Sequence, residues 1–99
     1  MTYRPLEKAE IEEGLRAEVL DLPQDLRRYF TAVAVDVRQM KRGDFPDASL
    51  FVVAQSGTRA IFYDDIDEDF GIGTLDGDVL IDCSVTGELR YALAQLRGD

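Results

Sequence analysis

The 99-residue sequence contains no histidine and no tryptophan, and these two absences limit the chemistry available to the protein. Without histidine there is no Ser–His or Cys–His nucleophile pair, no histidine-containing zinc site, and no side chain that ordinarily titrates near neutral pH. Without tryptophan the chain also lacks an aromatic platform for sugars. We therefore predict that the protein is not an enzyme and uses no cofactor.

Cysteine and long apolar runs are equally scarce. The single cysteine, Cys83, excludes an intrachain disulfide and is typical of a reducing compartment. No apolar run approaches the ~20 residues that a membrane-spanning helix needs, and the N-terminus lacks the basic-then-apolar pattern of a signal peptide. We therefore expect a cytoplasmic protein with no membrane partner.

Basic residues are missing from residues 60–89, although nine acidic residues lie there. Residues 1–59 are nearly balanced, with nine Lys and Arg against ten Asp and Glu, so the net charge of −9 arises in residues 60–89. A local negative field repels nucleic acid and anionic lipid but attracts cations and basic protein surfaces. We expect a basic protein as the partner, and no nucleic acid.

Two helical segments are predicted before residue 31. Residues 5–22 carry acids near their start, which suits the helix dipole, and an apolar stripe at spacings of four, four and three. That stripe consists of Ile11, Leu15, Val19 and Leu22. Gly14 is predicted to weaken the segment and Pro23 to end it. A second helix is predicted from residue 24 to about residue 30, with Asp21 as its N-cap.

Five strands are predicted between residues 31 and 85. The density of β-branched residues favours a strand over residues 31–40, and the glycine and proline of residues 41–49 favour a loop. Two hairpins follow, with turns at residues 56–57 and 76–78. On the last strand we expect one buried face formed by Val79, Ile81, Cys83 and Val85.

The C-terminal segment has the most regular helical pattern, at positions i, i+3, i+4 and i+7. Its apolar residues are Leu89, Ala92, Leu93 and Leu96. Ser84 or Thr86 is the predicted N-cap and Gly98 the predicted end. Because strands joined by tight hairpins are antiparallel, we predict one α+β domain over residues 1–99. It consists of an antiparallel sheet of four to five strands built from hairpins, with two N-terminal helical segments and one C-terminal helix on one face.

The densest acidic stretch is YDDIDEDFGIG, at residues 63–73, which holds five carboxylates between positions 64 and 69. Close carboxylates repel by about 0.7 kcal/mol per pair at ~6 Å in water, and a basic partner would relieve that repulsion and associate faster. Aromatic rings often anchor protein–protein contacts. The predicted partner-binding residues are Tyr63, Asp64, Asp65, Asp67, Glu68, Asp69 and Phe70.

The small size, acidity and lack of catalytic residues are properties of bacterial immunity proteins, antitoxins and acidic inhibitors, and no motif supports a particular family. We predict a binding protein of this kind, and we also consider a homodimer. A second hypothesis treats the acidic run as a solvated loop that blocks edge-to-edge strand pairing. A third treats the chain as a folded domain whose partner binds elsewhere, for example at Arg38, Lys41 and Arg42.

Calcium binding is the alternative from a different class of function. Asp65, Asp67 and Asp69 match positions 1, 3 and 5 of an EF-hand loop, and Asp76 matches position 12. Position 6, where that loop requires glycine, is Phe70. The predicted flanking elements are strands, whereas an EF-hand loop lies between helices.

Overall fold

Helices from both ends of the chain pack against a central group of five strands. The computed structural model describes residues 7–43 and 45–98. The elements are, in chain order, α1 (Lys8–Leu20), α2 (Gln24–Val33), β1 (Ala34–Arg42), β2 (Phe45–Ser56), β3 (Arg59–Asp64), β4 (Asp69–Asp76), β5 (Val79–Gly87) and α3 (Leu89–Arg97). The predicted α+β fold, with hairpin-built strands, two N-terminal helices and one C-terminal helix, is confirmed.

Both predicted hairpins are present, and one turn is displaced by a residue. β2 and β3 pair as far as Ser56 and Arg59, so the turn consists of Gly57 and Thr58. Gly57 has φ +62°, as a two-residue turn with glycine at its first central position requires. Gly77 has the same φ between β4 and β5, at the second predicted turn.

The loop predicted for residues 41–49 is wrong, because β1 and β2 extend into it from both sides. The amide of Gly43 also donates a hydrogen bond of 2.7 Å to the carbonyl of Leu80 on β5. Pairing between strands therefore outweighs the local turn preference of this segment. Asp44, which belonged to the predicted loop, lies outside the described residues.

The sheet closes into a barrel, which the hairpin pattern did not predict. Each strand pairs antiparallel with the next, and β1 also pairs with β5. This closing pair is parallel and short, with Lys41 opposite Val79 and Arg42 opposite Leu80. Its direction follows from the topology: every hairpin reverses the chain, so the first and fifth strands run the same way.

The two faces of the sheet bury separate apolar clusters, because successive side chains of a strand point to opposite faces. The three helices cover one face, where the strands contribute Val37, Phe51, Val53, Ala54, Ile61, Phe70 and Ile72. The opposite face lines the barrel and buries Met40, Leu50, Val52, Ala60, Phe62 and Leu80. The barrel therefore has its own core, and the helices make a second one.

Gly71 on β4 allows the barrel interior to pack. A Cβ at this position would collide with the ring of Phe62 and lie 2.5 Å from the carbonyl oxygen of Ser84. Phe62 is only 1% exposed, so its ring has no open space to move into. Packing therefore explains this glycine within a strand.

The buried face predicted for β5 is interrupted by a bulge. Asp82 has φ +51°, and the pairing with β4 shifts register around it. An extra residue reverses which face the following side chains occupy. Before the bulge Leu80 is fully buried, whereas Val79 and Ile81 are only half-buried. After the bulge Cys83 is half-buried against the same barrel core as Leu80, and Val85 is 54% exposed, so the prediction of one buried face is wrong.

α1 continues through Gly14 without a break. At its start, the amide of Glu7 donates a hydrogen bond of 3.3 Å to the carboxylate of Glu10, which is one half of a capping box. Pro5, predicted at the start of this segment, lies outside the described residues. The longest helix of the described part, α1, has 13 residues, and none there has the length and apolarity to cross a membrane.

The N-caps predicted for the other two helices are wrong. Asp21 is the C-cap of α1, and α2 begins three residues later. The N-cap of α3 is Glu88. Ser84 lies within β5, and the hydroxyl of Thr86 donates to the carbonyl of Phe70 at 3.1 Å rather than to a helix amide.

Candidate functional site

The acidic loop, residues 64–69, connects β3 to β4. Asp64 pairs with Asp69 across the hairpin, and the four residues between them form the turn. The Oδ1 atom of Asp64 accepts hydrogen bonds from the amides of Ile66 at 2.9 Å and Asp67 at 3.3 Å. Glu68 adopts φ +58°, in the left-handed region. The backbone thus holds the carboxylates at one end of the hairpin.

The predicted partner-binding residues differ in how accessible they are. Of the five acids, Asp67 and Glu68 are exposed, and the other three are half-buried. Tyr63 is half-buried as well, whereas Phe70 is only 6% exposed and packs in the core beneath the helices. Phe70 is therefore not an exposed side chain of the acidic loop, because β4 turns it towards the helix-covered face.

The exposed apolar residue of the acidic loop is Ile66. Its side chain is 60% exposed, while the amide of the same residue is fixed by Asp64. In the sequence this residue lies inside a run of carboxylates, and the pattern gave no sign that its side chain is exposed. An apolar side chain at the tip of a charged loop adds contact area for a partner that the charges attract.

Tyr63 and Phe70 join the acidic loop to the core. They face each other across β3 and β4, with ring centroids 5.0 Å apart and planes inclined at 55°. Tilted pairs at this distance are favourable for aromatic rings. Because Phe70 is buried and Tyr63 half-buried, the pair places an aromatic surface directly beneath the acidic loop.

The phenol of Tyr63 lies in an environment that disfavours its ionisation. Burial raises its pKa above the usual value, and the negative charges of Glu68, Asp65, Glu18 and Asp64 raise the same pKa further. Three of these acids belong to the acidic loop and Glu18 to α1. The rise in pKa thus has a desolvation part and a charge part.

We expect the Tyr63→Phe variant to separate this titration from those of the other three tyrosines. The difference in tyrosinate absorbance between wild type and variant should have a midpoint above pH 10, the usual tyrosine value. Since the folded state holds the proton more tightly, wild-type stability should fall as the pH rises through and beyond about 10, and the variant should lose less. Salt should reduce only part of the shift, because burial is its largest cause.

A midpoint at or below that of free tyrosine would show that the ring lies in open solvent. That result would contradict the described packing of Tyr63 beneath the acidic loop.

The acidic loop forms one wall of a cleft of about 420 Å³, which we call the acidic cleft. α1 forms the opposite wall, and the end of β5 closes one side. The lining residues are Glu10, Ile11, Gly14, Leu15, Glu18, Tyr63, Glu68, Asp69, Phe70, Gly87 and Glu88. Five of them are carboxylates and none is basic. An apolar floor and an acidic rim are therefore combined in one concave site.

α1 supplies the part of the cleft that sequence reasoning missed. Ile11, Leu15 and Glu18 follow one another at four- and three-residue spacing, so they share one face of the helix. Gly14 lies on the same side and adds no side chain. The apolar stripe was visible in the sequence, but a helical pattern cannot say which strand end the helix will face.

Two of the cleft carboxylates have partners within the protein. Glu88 accepts a hydrogen bond of 2.6 Å from Nε of Arg90, and Glu10 accepts from the amide of Glu7. Among the residues that the structure describes, no lysine or arginine pairs with Glu18, Glu68 or Asp69. Those three carboxylates carry the negative charge that is available to a ligand of the cleft.

A smaller cavity of about 240 Å³ adjoins the acidic cleft. It is lined by Glu18, Asp21, Leu22, Glu88 and Arg90, and so shares Glu18 and Glu88 with the larger one. The negative surface therefore continues from the acidic loop across the C-terminal half of α1.

The alternative calcium arrangement is not formed. Asp69 and Asp76 begin and end β4, and eight extended residues separate such positions by roughly 23 Å. The four carboxylates predicted to bind calcium, Asp65, Asp67, Asp69 and Asp76, cannot surround one ion. Within residues 7–43 and 45–98, no group of three or more acids or cysteines is placed to hold a metal ion.

The basic residues Arg38, Lys41 and Arg42 all lie on β1, whereas the acidic loop connects β3 to β4. Arg38 donates a hydrogen bond of 3.3 Å to the side chain of Gln55 on β2. Lys41 and Arg42 take part in the barrel closure through their backbones. All three residues therefore belong to a strand that is paired within the barrel.

Comparison of the chain with protein-family models, with curated proteins and with solved structures finds no match.

Proposed function

We propose that the protein is a non-catalytic binding protein that docks a basic protein through its acidic face, meaning the acidic loop together with the acidic cleft. The observation that carries this proposal is the composition of the cleft. Carboxylates line a concave surface whose floor is apolar and aromatic. Charge attracts and orients a partner, and apolar contact then holds it.

The carboxylates of the acidic face come from separate parts of the chain, and this favours docking over a purely solvated loop. Glu18 comes from α1 and Glu88 from the start of α3, and the fold brings both to the face that carries Glu68 and Asp69. Like charges gathered on one face repel one another and lower stability. Such an unfavourable arrangement is characteristic of surfaces kept for function.

In this proposal the partner belongs to the classes that acidic proteins neutralise: a toxin with a basic active site, or a nucleic-acid-binding enzyme. The protein would act as its immunity protein, antitoxin or inhibitor. A basic groove that receives nucleic acid is complementary to a negative surface of this kind.

A capture experiment with three immobilised proteins tests the proposal. The first is wild type; the second carries Asp64→Asn, Asp65→Asn, Asp67→Asn and Asp69→Asn; the third carries Asp76→Asn and Asp78→Asn. Asparagine retains the Oδ1 acceptor that Asp64 uses for the turn. The third protein loses two charges at the other end of β4, so it shows whether acidic charge outside the acidic loop matters.

We expect a basic protein from the source cells to be retained by wild type and by the control, and to be lost from the fourfold variant. Retention of the same proteins on all three columns would contradict docking through the acidic loop.

A further inference from the structure

We propose that the acidic cleft receives one arginine or lysine side chain of the docked partner. The aliphatic stem would lie on the apolar floor, and the cationic group would lie among the carboxylates of Glu18, Glu68 and Asp69. This inference rests on the proposed function and identifies the chemical class of its central contact, an alkylguanidinium or alkylammonium group.

The floor of the cleft suits an aliphatic stem. Ile11 and Phe70 are 5% and 6% exposed, and the half-buried Leu15 and Tyr63 pack against the same core. No atom would lie within 4 Å of a Cβ at Gly14, so the helix wall is open there. Long basic side chains characteristically bury their methylene stems on apolar surface while the charged end meets polar groups.

The rim suits a cationic end group. Guanidinium and ammonium groups form strong charge-assisted hydrogen bonds with carboxylates, and guanidinium can bind two oxygens at once. The chain itself provides an example on this rim, because Arg90 binds Glu88 through Nε at 2.6 Å. Glu18, Glu68 and Asp69 offer further carboxylates to an incoming cation.

The volume and charge of the cleft argue against other occupants. At about 420 Å³ it falls at the lower end of ligand sites, which span ~300–1,000 Å³. A side chain fits that scale, whereas a folded element does not. A neutral apolar group would leave several carboxylates partly desolvated without compensation, which is unfavourable.

Binding of n-butylguanidinium to the full chain tests the inference directly. This probe has a stem and a cationic group, whereas guanidinium lacks the stem and n-butanol lacks the charge. Amide chemical shifts of Gly14, Phe70 and Gly87 report occupancy of the cleft. We expect saturable shifts with n-butylguanidinium, and an affinity about three-fold or more below it for each comparison compound.

Two variants test separately how the shape of the cleft and its charge contribute to n-butylguanidinium binding. Gly14→Leu keeps every charge and places a side chain into the cleft, and it does not endanger the helix because leucine is the better helix former. Its control is Ala17→Leu, at an exposed position of α1 outside the cleft. Glu18→Gln removes a lining charge, and its control is Glu13→Gln on the same helix.

We expect Gly14→Leu to weaken n-butylguanidinium binding about ten-fold or more, because the stem loses its place, and Glu18→Gln to weaken it about three-fold. Both controls should leave the affinity unchanged. Absence of saturable binding to wild type, or equal binding by Gly14→Leu, would overturn the inference.

The same variants distinguish this inference from the proposed function. If the captured partner still requires the acidic loop but binds Gly14→Leu as well as wild type, docking stands and the side-chain insertion is wrong. If Gly14→Leu blocks the partner and the fourfold asparagine variant does not, steering by the acidic loop is wrong. A wild-type dimer in sedimentation that Gly14→Leu abolishes would assign the cleft to a second copy and overturn the inference.

Discussion

Replacement of Phe70 by alanine should lower the free energy of unfolding by about 3–5 kcal/mol, the range for removal of a buried aromatic ring. Phe70 is 6% exposed and contacts the ring of Tyr63, so its loss leaves a cavity where the acidic loop joins the core. Urea unfolding of wild type and variant measures this difference. The loss of stability follows from the position of the ring in the core, where it also forms part of the floor of the acidic cleft.

Ile66→Ala is the matched control for this substitution. Ile66 lies in the acidic loop and is 60% exposed, so its removal should change stability by less than about 0.5 kcal/mol. An equally small effect of Phe70→Ala would contradict the position of that ring in the core, and with it the floor of the acidic cleft.

Replacement of Leu93 by alanine should lower the free energy of unfolding by about 2–5 kcal/mol. Leu93 is fully buried on α3, where Leu89 and Ala92 are fully buried beside it. The shortened side chain leaves a cavity that neighbouring helices and strands cannot fill without moving. Urea unfolding again gives the measurement.

Gln95→Ala on the same helix is the control, because Gln95 is exposed and its carbonyl, which accepts a hydrogen bond from Arg59, is retained. We expect it to change stability by less than about 0.5 kcal/mol. If Leu93→Ala has an effect that small, α3 is not docked on the sheet.

Local patterns were sufficient to predict α3 and the hairpins. The four apolar residues of α3 face the core as their spacing predicts, and Gly98 ends the helix with φ +93°. Gly57 and Gly77 mark the turns because a two-residue hairpin needs a positive φ. In these places the local preference and the tertiary structure agree.

Features that depend on distant contacts were not predicted. The barrel closure needs β1 and β5 to meet, although more than 35 residues separate Lys41 from Val79. The bulge at Asp82 changes which side chains of β5 are buried, and nothing in its sequence marks it. Gly71 is explained only by the ring of Phe62, which lies on another strand.

Only the part of the candidate site that is continuous in sequence was predicted, because the rest also depends on distant contacts. The acidic loop is continuous in sequence, so its charge was evident from composition. Glu18 and Glu88 join it only because α1 and the start of α3 lie beside the start of β4. Phe70 was assigned to the surface because period-two alternation does not say which face of a strand the helices will cover.

The association rate constant with the captured basic partner tests the central claim most directly. It should be measured at about 0.05 M and about 0.5 M ionic strength, where the Debye length differs roughly three-fold. The proteins compared are wild type, the fourfold asparagine variant of the acidic loop, and the Asp76→Asn and Asp78→Asn control. If the acidic face steers the partner, the fourfold variant should associate about ten-fold or more slowly at low salt, with the difference shrinking at high salt. Equal rate constants for all three proteins at low salt would contradict docking through the acidic face.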